Sequence, residues 1–196
     1  ADRALHAHAG IDDLAHVPAG MAPAEVLKAR RVIADHMRTA TFILCDPKGG
    51  VKPGNVGANY VLRRLIRRAV RFARMIGIAP GFTLQLAEVV CRKYKHVYPE
   101  LEANLATCKL DLEAEEARFN RTLDKGEARY NKVVGALKEH GQTRISGKLA
   151  FELYDTFGFP FEMTCEMAAK DGLTVDKAGF DEATRKHQEL SRTTSA

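Results

Sequence analysis

Apolar residues recur every three or four positions along most of the chain, a spacing that places them on one face of a helix. The first such run begins near residue 24 and predicts a helix to about Cys45. Its apolar stripe consists of Val26, Leu27, Ala29, Val32, Ile33, Met37 and Ala40. No stretch alternates with a period of two, so we expect no sheet beyond a local pairing near 143–145. The pattern predicts an all-α, bundle-like fold.

A glycine- and proline-rich stretch at 46–59 interrupts this pattern and predicts a long loop. Long loops in compact chains are often functional. Beyond it, the periodicity predicts helices at 60–77, 82–98, 99–140, 146–158, 161–170 and 176–191. The run at 99–140 predicts one long helix, or two helices broken near Gly126. Ser146 and Asp176 are expected to cap the helices that follow them.

The length of 196 residues allows one sizeable domain or two small ones. We expect a loosely structured segment at 1–23 and a helical domain at 24–196. The latter forms either one body or two helical subdomains, 24–98 and 99–196. No apolar run approaches the roughly 20 residues of a membrane span, and no signal peptide is recognisable. These features predict a cytoplasmic location, and the missing initiator methionine indicates a piece of a longer protein.

Four cysteines, Cys45, Cys91, Cys108 and Cys165, are widely spaced and form no C-x-x-C pair. Zinc sites usually contain such a close pair, so we expect reduced thiols and no metal site. The sequence also contains no recognisable combination of nucleophile and base and no phosphate-binding loop. We therefore expect neither a catalytic residue nor a cofactor in this chain.

The segment 60–74 contains six arginines and is the strongest helical signal. On a helical wheel at about 100° per residue, apolar side chains fill one half and the arginines fill the other. These arginines are Arg63, Arg64, Arg67, Arg68, Arg71 and Arg74. No acidic residue lies between Asp46 and Glu88, so the local sequence offers the arginines no counter-charge.

Three interpretations of this face stay open: phosphate binding, internal ion pairing and membrane association. The planar arginine fork suits phosphate oxygens, and the residues at 54–57 lead into a helix N-terminus that favours an anion. Internal partners are available in Glu113, Glu115 and Glu116. Basic amphipathic helices also bind membranes, although two small alanines on the apolar face favour helix packing. The net charge of +5 is compatible with nucleic acid but does not decide the question.

Three motifs resemble those of alanyl-tRNA synthetases. The first is Arg-Val-Ile-Ala-Asp-His-Met-Arg at 31–38. The second is Pro-Gly-Asn-Val-Gly at 53–57, followed by Tyr-Val-Leu-Arg-Arg-Leu-Ile-Arg-Arg-Ala-Val-Arg at 60–71. The third is Ile-Ser-Gly-Lys-Leu-Ala-Phe-Glu-Leu-Tyr-Asp-Thr-Phe-Gly-Phe-Pro at 145–160. The resemblance covers about 24–192 and implies the helical tRNA-recognition region between the catalytic and editing domains.

This resemblance implies that the chain binds the acceptor stem of alanine tRNA and reads its G·U wobble pair. The family does so with one Asn and one Asp, which match Asn55 and Asp155. An Asp accepts from the guanine amino group, and an Asn can donate or accept. We therefore expect both side chains on one surface, about 12 Å apart as for one groove width. The six arginines are expected to bind phosphates.

The resemblance also implies a parent class II alanine–tRNA ligase that uses ATP with magnesium and alanine, with zinc in its editing domain. Neither the class II motifs nor the editing cluster occurs here, so we expect the chain alone to be inactive. Its expected partners are tRNA and the catalytic and editing domains, with no membrane. The alternative is a free-standing helical relative that binds protein or RNA without a role in aminoacylation.

Two departures from the family pattern surround Asn55. The family usually has Ser or Asp where Gly54 stands, and Gly-Arg-Gly-Tyr where this chain has Gly-Ala-Asn-Tyr at 57–60. The residues alone also allow simpler structural roles. Asn55 suits a left-handed loop position, and Asp155 suits a turn before Gly158.

Overall fold

The computed structural model of this chain describes residues 16–49 and 51–194, with side chains described as far as Leu190. The described residues form seven helices and two short strands. In chain order these are α1 (Pro23–Leu44), α2 (Gly57–Met75), α3 (Phe82–Tyr94), α4 (Glu100–Glu139), β1 (Arg144–Ile145), α5 (Gly147–Asp155), α6 (Phe161–Lys170), β2 (Thr174–Val175) and α7 (Lys177–Thr194). Helices account for 73% of the structure, which confirms the predicted all-α class.

The chain forms two compact units, one ending at Asn120 and one beginning at Arg121. The division falls inside α4, whereas the sequence placed alternative subdomains at 24–98 and 99–196; that domain assignment stays a prediction. Residues 1–15 of the predicted N-terminal segment lie outside the described residues, and 16–22 contain neither helix nor strand.

In the first unit, α1 packs against both α2 and α3. The buried residues of α2 are Leu62, Ile66, Arg67, Ala69, Val70, Phe72 and Ala73. Most of the predicted stripe of α1 is buried as well, although Leu27 stays 41% exposed. The predicted apolar faces are therefore largely the ones that build the core.

The connection between α1 and α2 contains no helix or strand among its described residues, as the sequence predicted. The loop is shorter than predicted at its end, because α2 already begins at Gly57. Gly57 has a φ of +56°, a left-handed conformation that costs glycine little. This conformation turns the chain from the loop into the helix.

In the second unit, α5 packs against α6 and α7. β1 and β2 pair in parallel, with Arg144 opposite Thr174 and Ile145 opposite Val175, so the local pairing expected near 143–145 is present. Both predicted caps are confirmed. Ser146 Oγ accepts from the backbone N–H of Leu149 at 3.3 Å, and Asp176 Oδ1 accepts from that of Gly179 at 3.2 Å.

α4 is continuous through Gly126, so the alternative of two helices broken there is wrong. The glycine has a packing role instead, since an added Cβ would lie 2.5 Å from the buried ring of Phe159. α3 ends at Tyr94, earlier than the predicted 98. Pro99 stands five positions later. It disfavours the helical conformation at Tyr98, the residue before it.

The four cysteines are free thiols. Cys45, Cys91 and Cys108 are buried in the first unit. A hydrogen bond between the Cys45 and Cys108 thiols lowers the pKa of Cys45 and raises that of Cys108.

Candidate functional site

Asn55 lies in the loop two residues before α2, with an exposed side chain. Its Oδ1 accepts a hydrogen bond from Nη1 of Arg63, on the second turn of that helix. Because a guanidinium only donates, the amide atom that faces Arg63 must be the oxygen. The amide nitrogen, which only donates, therefore faces away from Arg63.

Arg63 belongs to a cluster of charged side chains around Glu115 of α4. Nε of Arg67 donates to Oε1 of Glu115 at 2.6 Å, and Nε of Arg63 lies 3.3 Å from the same oxygen. Nη1 of Arg118 donates to Oε2 at 3.1 Å. One carboxylate thus faces three guanidiniums, and the cluster keeps a net positive charge. We call these four residues the Glu115 cluster.

Burial sets the chemistry of this cluster. Glu115 and Arg67 are only 2% and 5% exposed. Desolvation lowers the pKa of Arg67, and the charge and hydrogen bond of Glu115 oppose that effect. The guanidinium of Arg67 also lies 5.1 Å from the ring centroid of Phe119, within the range of a cation–π contact. Internal ion pairing, one of the three sequence interpretations, therefore applies to Arg63 and Arg67.

Among the remaining arginines of α2, Arg64, Arg68 and Arg71 are half-buried, as Arg63 is, and Arg74 is exposed. Arg68 Nη1 lies 2.8 Å from Nε2 of His36 on α1. The arginine donates, so this imidazole nitrogen accepts. The same side chain borders a groove of about 500 Å³ between α1 and α2, which Lys28 and Arg31 also line.

The N-terminus of α2 has backbone N–H groups without a side-chain cap. Val56 occupies the cap position, and the first turn contains no acidic residue. The first N–H groups of a helix have no acceptor within the helix, and the helix dipole favours an anion there. This end of α2 is therefore chemically suited to an anionic group.

The two family departures beside Asn55 are physically connected. A Cβ on Gly54 would lie 2.8 Å from Cβ of Asn59, too close for two side chains. The backbone N–H of Gly54 also donates to the carbonyl of Asn59 at 3.0 Å. This chain thus has a side chain at 59 and none at 54, whereas the family usually has a side chain at 54 and glycine at 59.

Asp155 is the last residue of α5, and its side chain is 44% exposed. Its Oδ1 lies 3.6 Å from Nε2 of His187, whose ring centroid is 5.5 Å from that of Phe151. α5 is fixed to α4 by Arg129, which donates twice to the carboxylate of Glu152 at 2.7 and 2.8 Å. Asp155 thus projects from the end of an anchored helix.

The predicted recognition residues lie in different units, Asn55 in the first and Asp155 in the second. Their placement on one surface stays a prediction. Sequence reasoning missed three contributors: Arg118, Arg129 and His187. Arg118 stands three residues after Glu115 on the same helix, a spacing that could have identified it. The other two contact residues 23 and 32 positions away, for which the sequence gives no local signal.

Metal-binding and membrane-spanning features are absent from the described residues. In that part of the chain, no three His, Cys, Asp or Glu side chains are grouped so as to hold a metal ion. No helix there combines the length and apolarity needed to cross a membrane.

Residues 9–196 match the model of the family described as tRNA synthetases class II (A), and the chain belongs to that family. It is similar to alanine–tRNA ligases. It is 49% identical to that of Treponema pallidum over 83% of this chain, 48% identical to that of Chlorobaculum tepidum over 78%, and 41% identical to that of Desulfitobacterium hafniense over 84%. It spans 27%, 17% and 18% of the length of these relatives.

Proposed function

We propose that this chain is the tRNA-recognition region of an alanine–tRNA ligase and that it reads the G·U wobble pair of the alanine tRNA acceptor stem. The main support is the position of Asn55. It is exposed at the start of the arginine-rich helix, and Arg63 holds its amide in one orientation. A side chain oriented in this way can distinguish donors from acceptors on a base edge.

The two recognition residues would have different roles. Asn55 turns its donor nitrogen away from Arg63, so it is suited to donate to a base acceptor such as the displaced uracil carbonyl. Asp155 carries only acceptors when ionised, so it is suited to the guanine amino group that the wobble pair leaves unpaired. In a Watson–Crick G·C pair at this position, one hydrogen of that amino group would bond to the cytosine carbonyl.

Phosphate binding is proposed for the arginine-rich helix as a whole, and its arginines would have two different roles. The half-buried Arg64, Arg68 and Arg71 and the exposed Arg74 would contact phosphates, together with the N-terminus of α2. Arg63 and Arg67 contribute mainly through the positive field of the Glu115 cluster. Such contacts position the RNA without reading its sequence, and they make binding weaken steeply as salt rises.

The proposed role within the parent ligase is to support alanylation by presenting the correct tRNA. ATP, magnesium and alanine would act in the catalytic domain, and zinc in the editing domain. The chain itself would need no cofactor and would be inactive alone. Its protein partners would be those two domains.

The test is a titration of the chain and two variants with acceptor-stem hairpins that differ only in a G·U or a G·C pair. Asn55→Ala and Asp155→Ala should each lose about 1–3 kcal/mol of discrimination, the usual size of a base-edge contact. Affinity for the G·C hairpin should change much less. An unaltered G·U preference in either variant would rule out that residue's assignment. Failure of the unaltered chain to bind any hairpin would favour the free-standing interaction module.

A further inference from the structure

We propose that Glu115 is a positioning residue for base recognition: it fixes Arg63, and Arg63 fixes the amide orientation of Asn55. This inference rests on the proposed function, because it concerns how Asn55 reads a base. It adds a residue from α4, 60 positions away from Asn55 in the sequence, to the recognition apparatus.

The first step is the anchoring of Glu115 itself. The carboxylate is 2% exposed, and a buried carboxylate requires charged or hydrogen-bonding partners. Arg67 and Arg118 occupy one oxygen each at 2.6 and 3.1 Å. These two contacts hold Glu115 in place independently of Arg63, so Glu115 can serve as a fixed point.

The second step is the bridging geometry of Arg63. Its Nε lies 3.3 Å from Glu115 Oε1, and its Nη1 donates to Asn55 Oδ1. The guanidinium is planar and rigid, so fixing one nitrogen restricts the directions of the others. Without Glu115, Arg63 would lose this carboxylate and would still face the positive charges of Arg67 and Arg118.

The third step concerns the two faces of the Asn55 amide. Its oxygen and nitrogen are almost equal in size, so rotation by 180° exchanges an acceptor for a donor with little change in shape. Arg63 selects the orientation in which the Asn55 amide oxygen faces the guanidinium. If Arg63 were released, both orientations would be populated, and only one of them can donate to the uracil carbonyl.

A neighbouring residue provides a matched control. Glu116 is 3% exposed and follows Glu115 directly. Its carboxylate accepts from the backbone N–H of Gly81 at 2.6 Å and from the hydroxyl of Thr83, at the start of α3. Glu116→Gln therefore removes an equally buried charge from the same helix turn, but it perturbs a helix start instead of Arg63.

The experiment uses the full chain and compares Glu115→Gln with Glu116→Gln. The readout is the ratio of affinities for the G·U and G·C hairpins, with thermal unfolding measured in parallel. Glu115→Gln should reduce the ratio about tenfold, because an Asn55 amide without a fixed orientation loses most of one base-edge contact. Glu116→Gln should lower stability but keep the ratio. In an Asn55→Ala background, Glu115→Gln should not reduce the ratio further.

A folded Glu115→Gln variant with the original ratio would overturn the proposal, as would an equal reduction with and without Asn55. If Glu115→Gln does not fold, Arg63→Gln decides in its place, and an unchanged ratio again overturns the proposal. The side-chain amide signals of Asn55 in the free protein provide a readout independent of RNA. They should become mobile in Glu115→Gln and stay fixed in Glu116→Gln.

If the unaltered chain itself shows no G·U preference, the proposed function fails. The positioning of Asn55 is then still decided by the amide signals. If the Asn55 amide signals stay fixed in Glu115→Gln, the positioning role of Glu115 is overturned independently of any RNA measurement.

Discussion

At the scale of single residues, Gly54 and Asn59 explain how the loop before α2 tolerates an unusual sequence. A side chain at both positions would overlap, since the two Cβ atoms would be 2.8 Å apart. We therefore expect Gly54→Ser alone to reduce the free energy of unfolding by about 1–3 kcal/mol, the usual cost of overpacking. Adding Asn59→Gly should restore most of this loss. Denaturant unfolding of the four proteins in this cycle gives the coupling directly.

Asn59→Gly is the matched control in this cycle, because it removes the side chain without introducing overlap. Additive effects of the two substitutions would show that the positions are independent. The loop would then have relaxed around the new serine, and the two departures from the family pattern would be unrelated.

At the scale of helices, the two glycines inside α4 have different reasons to be there. Gly126 faces Phe159, whereas an added Cβ at Gly135 meets nothing within 4 Å. Alanine favours a helix over glycine by about 1 kcal/mol, so Gly135→Ala should be neutral or stabilising by up to that amount. Gly126→Ala should destabilise the protein by about 1–3 kcal/mol, because overlap with a buried ring outweighs the helical preference.

Thermal or denaturant unfolding distinguishes the two alanine variants. Equal stabilisation by both substitutions would mean that Phe159 moves freely and that Gly126 has no packing role. A large loss at Gly135 would contradict the exposed position of that residue.

Helix predictions from this sequence succeed because apolar spacing and capping are local properties. The stripe of α1 and the caps at Ser146 and Asp176 are visible without any tertiary information. Gly126 was ambiguous, because a glycine within a helical pattern can mark a break or a close contact. Only the distant Phe159 decides between these, and its proximity depends on the tertiary fold.

The candidate site shows the same limit. The arginine face was visible on the helical wheel, and Glu115 was one of three acidic residues named as a partner. The choice among the three depended on the approach of α4 to α2. Asn55 and Asp155 came from motif resemblance alone, because an exposed Asn or Asp in a loop or at a helix end has no distinguishing periodicity.

At the scale of the whole molecule, ion pairs of Glu152 and Asp171 in the second unit link stability to pH. A hydrogen bond from Arg129 lowers the pKa of Glu152, and one from Lys138 lowers that of Asp171. Groups whose pKa is lowered by folding stabilise the native state above their unfolded pKa values of about 4. This contribution is lost as pH falls through the lowered native pKa values.

Glu152→Gln should therefore reduce the difference in stability between pH 7 and pH 3. The free energy of unfolding as a function of pH, measured for both proteins, tests this. A matched control is Glu189→Gln, which removes an exposed i,i+4 ion pair with Arg185; exposed pairs contribute little. An identical pH dependence in Glu152→Gln and the unaltered chain would show that the Arg129 pair does not stabilise the fold.

The measurement that tests the central claim most directly is a hairpin titration in which inosine replaces the guanosine of the G·U pair. Inosine lacks only the 2-amino group. If Asp155 accepts from that group, the unaltered chain and Asn55→Ala should both prefer G·U over I·U hairpins. Asp155→Ala should bind the two hairpins equally, while all three proteins keep similar salt dependence. Equal binding of G·U and I·U hairpins by the unaltered chain would contradict the account.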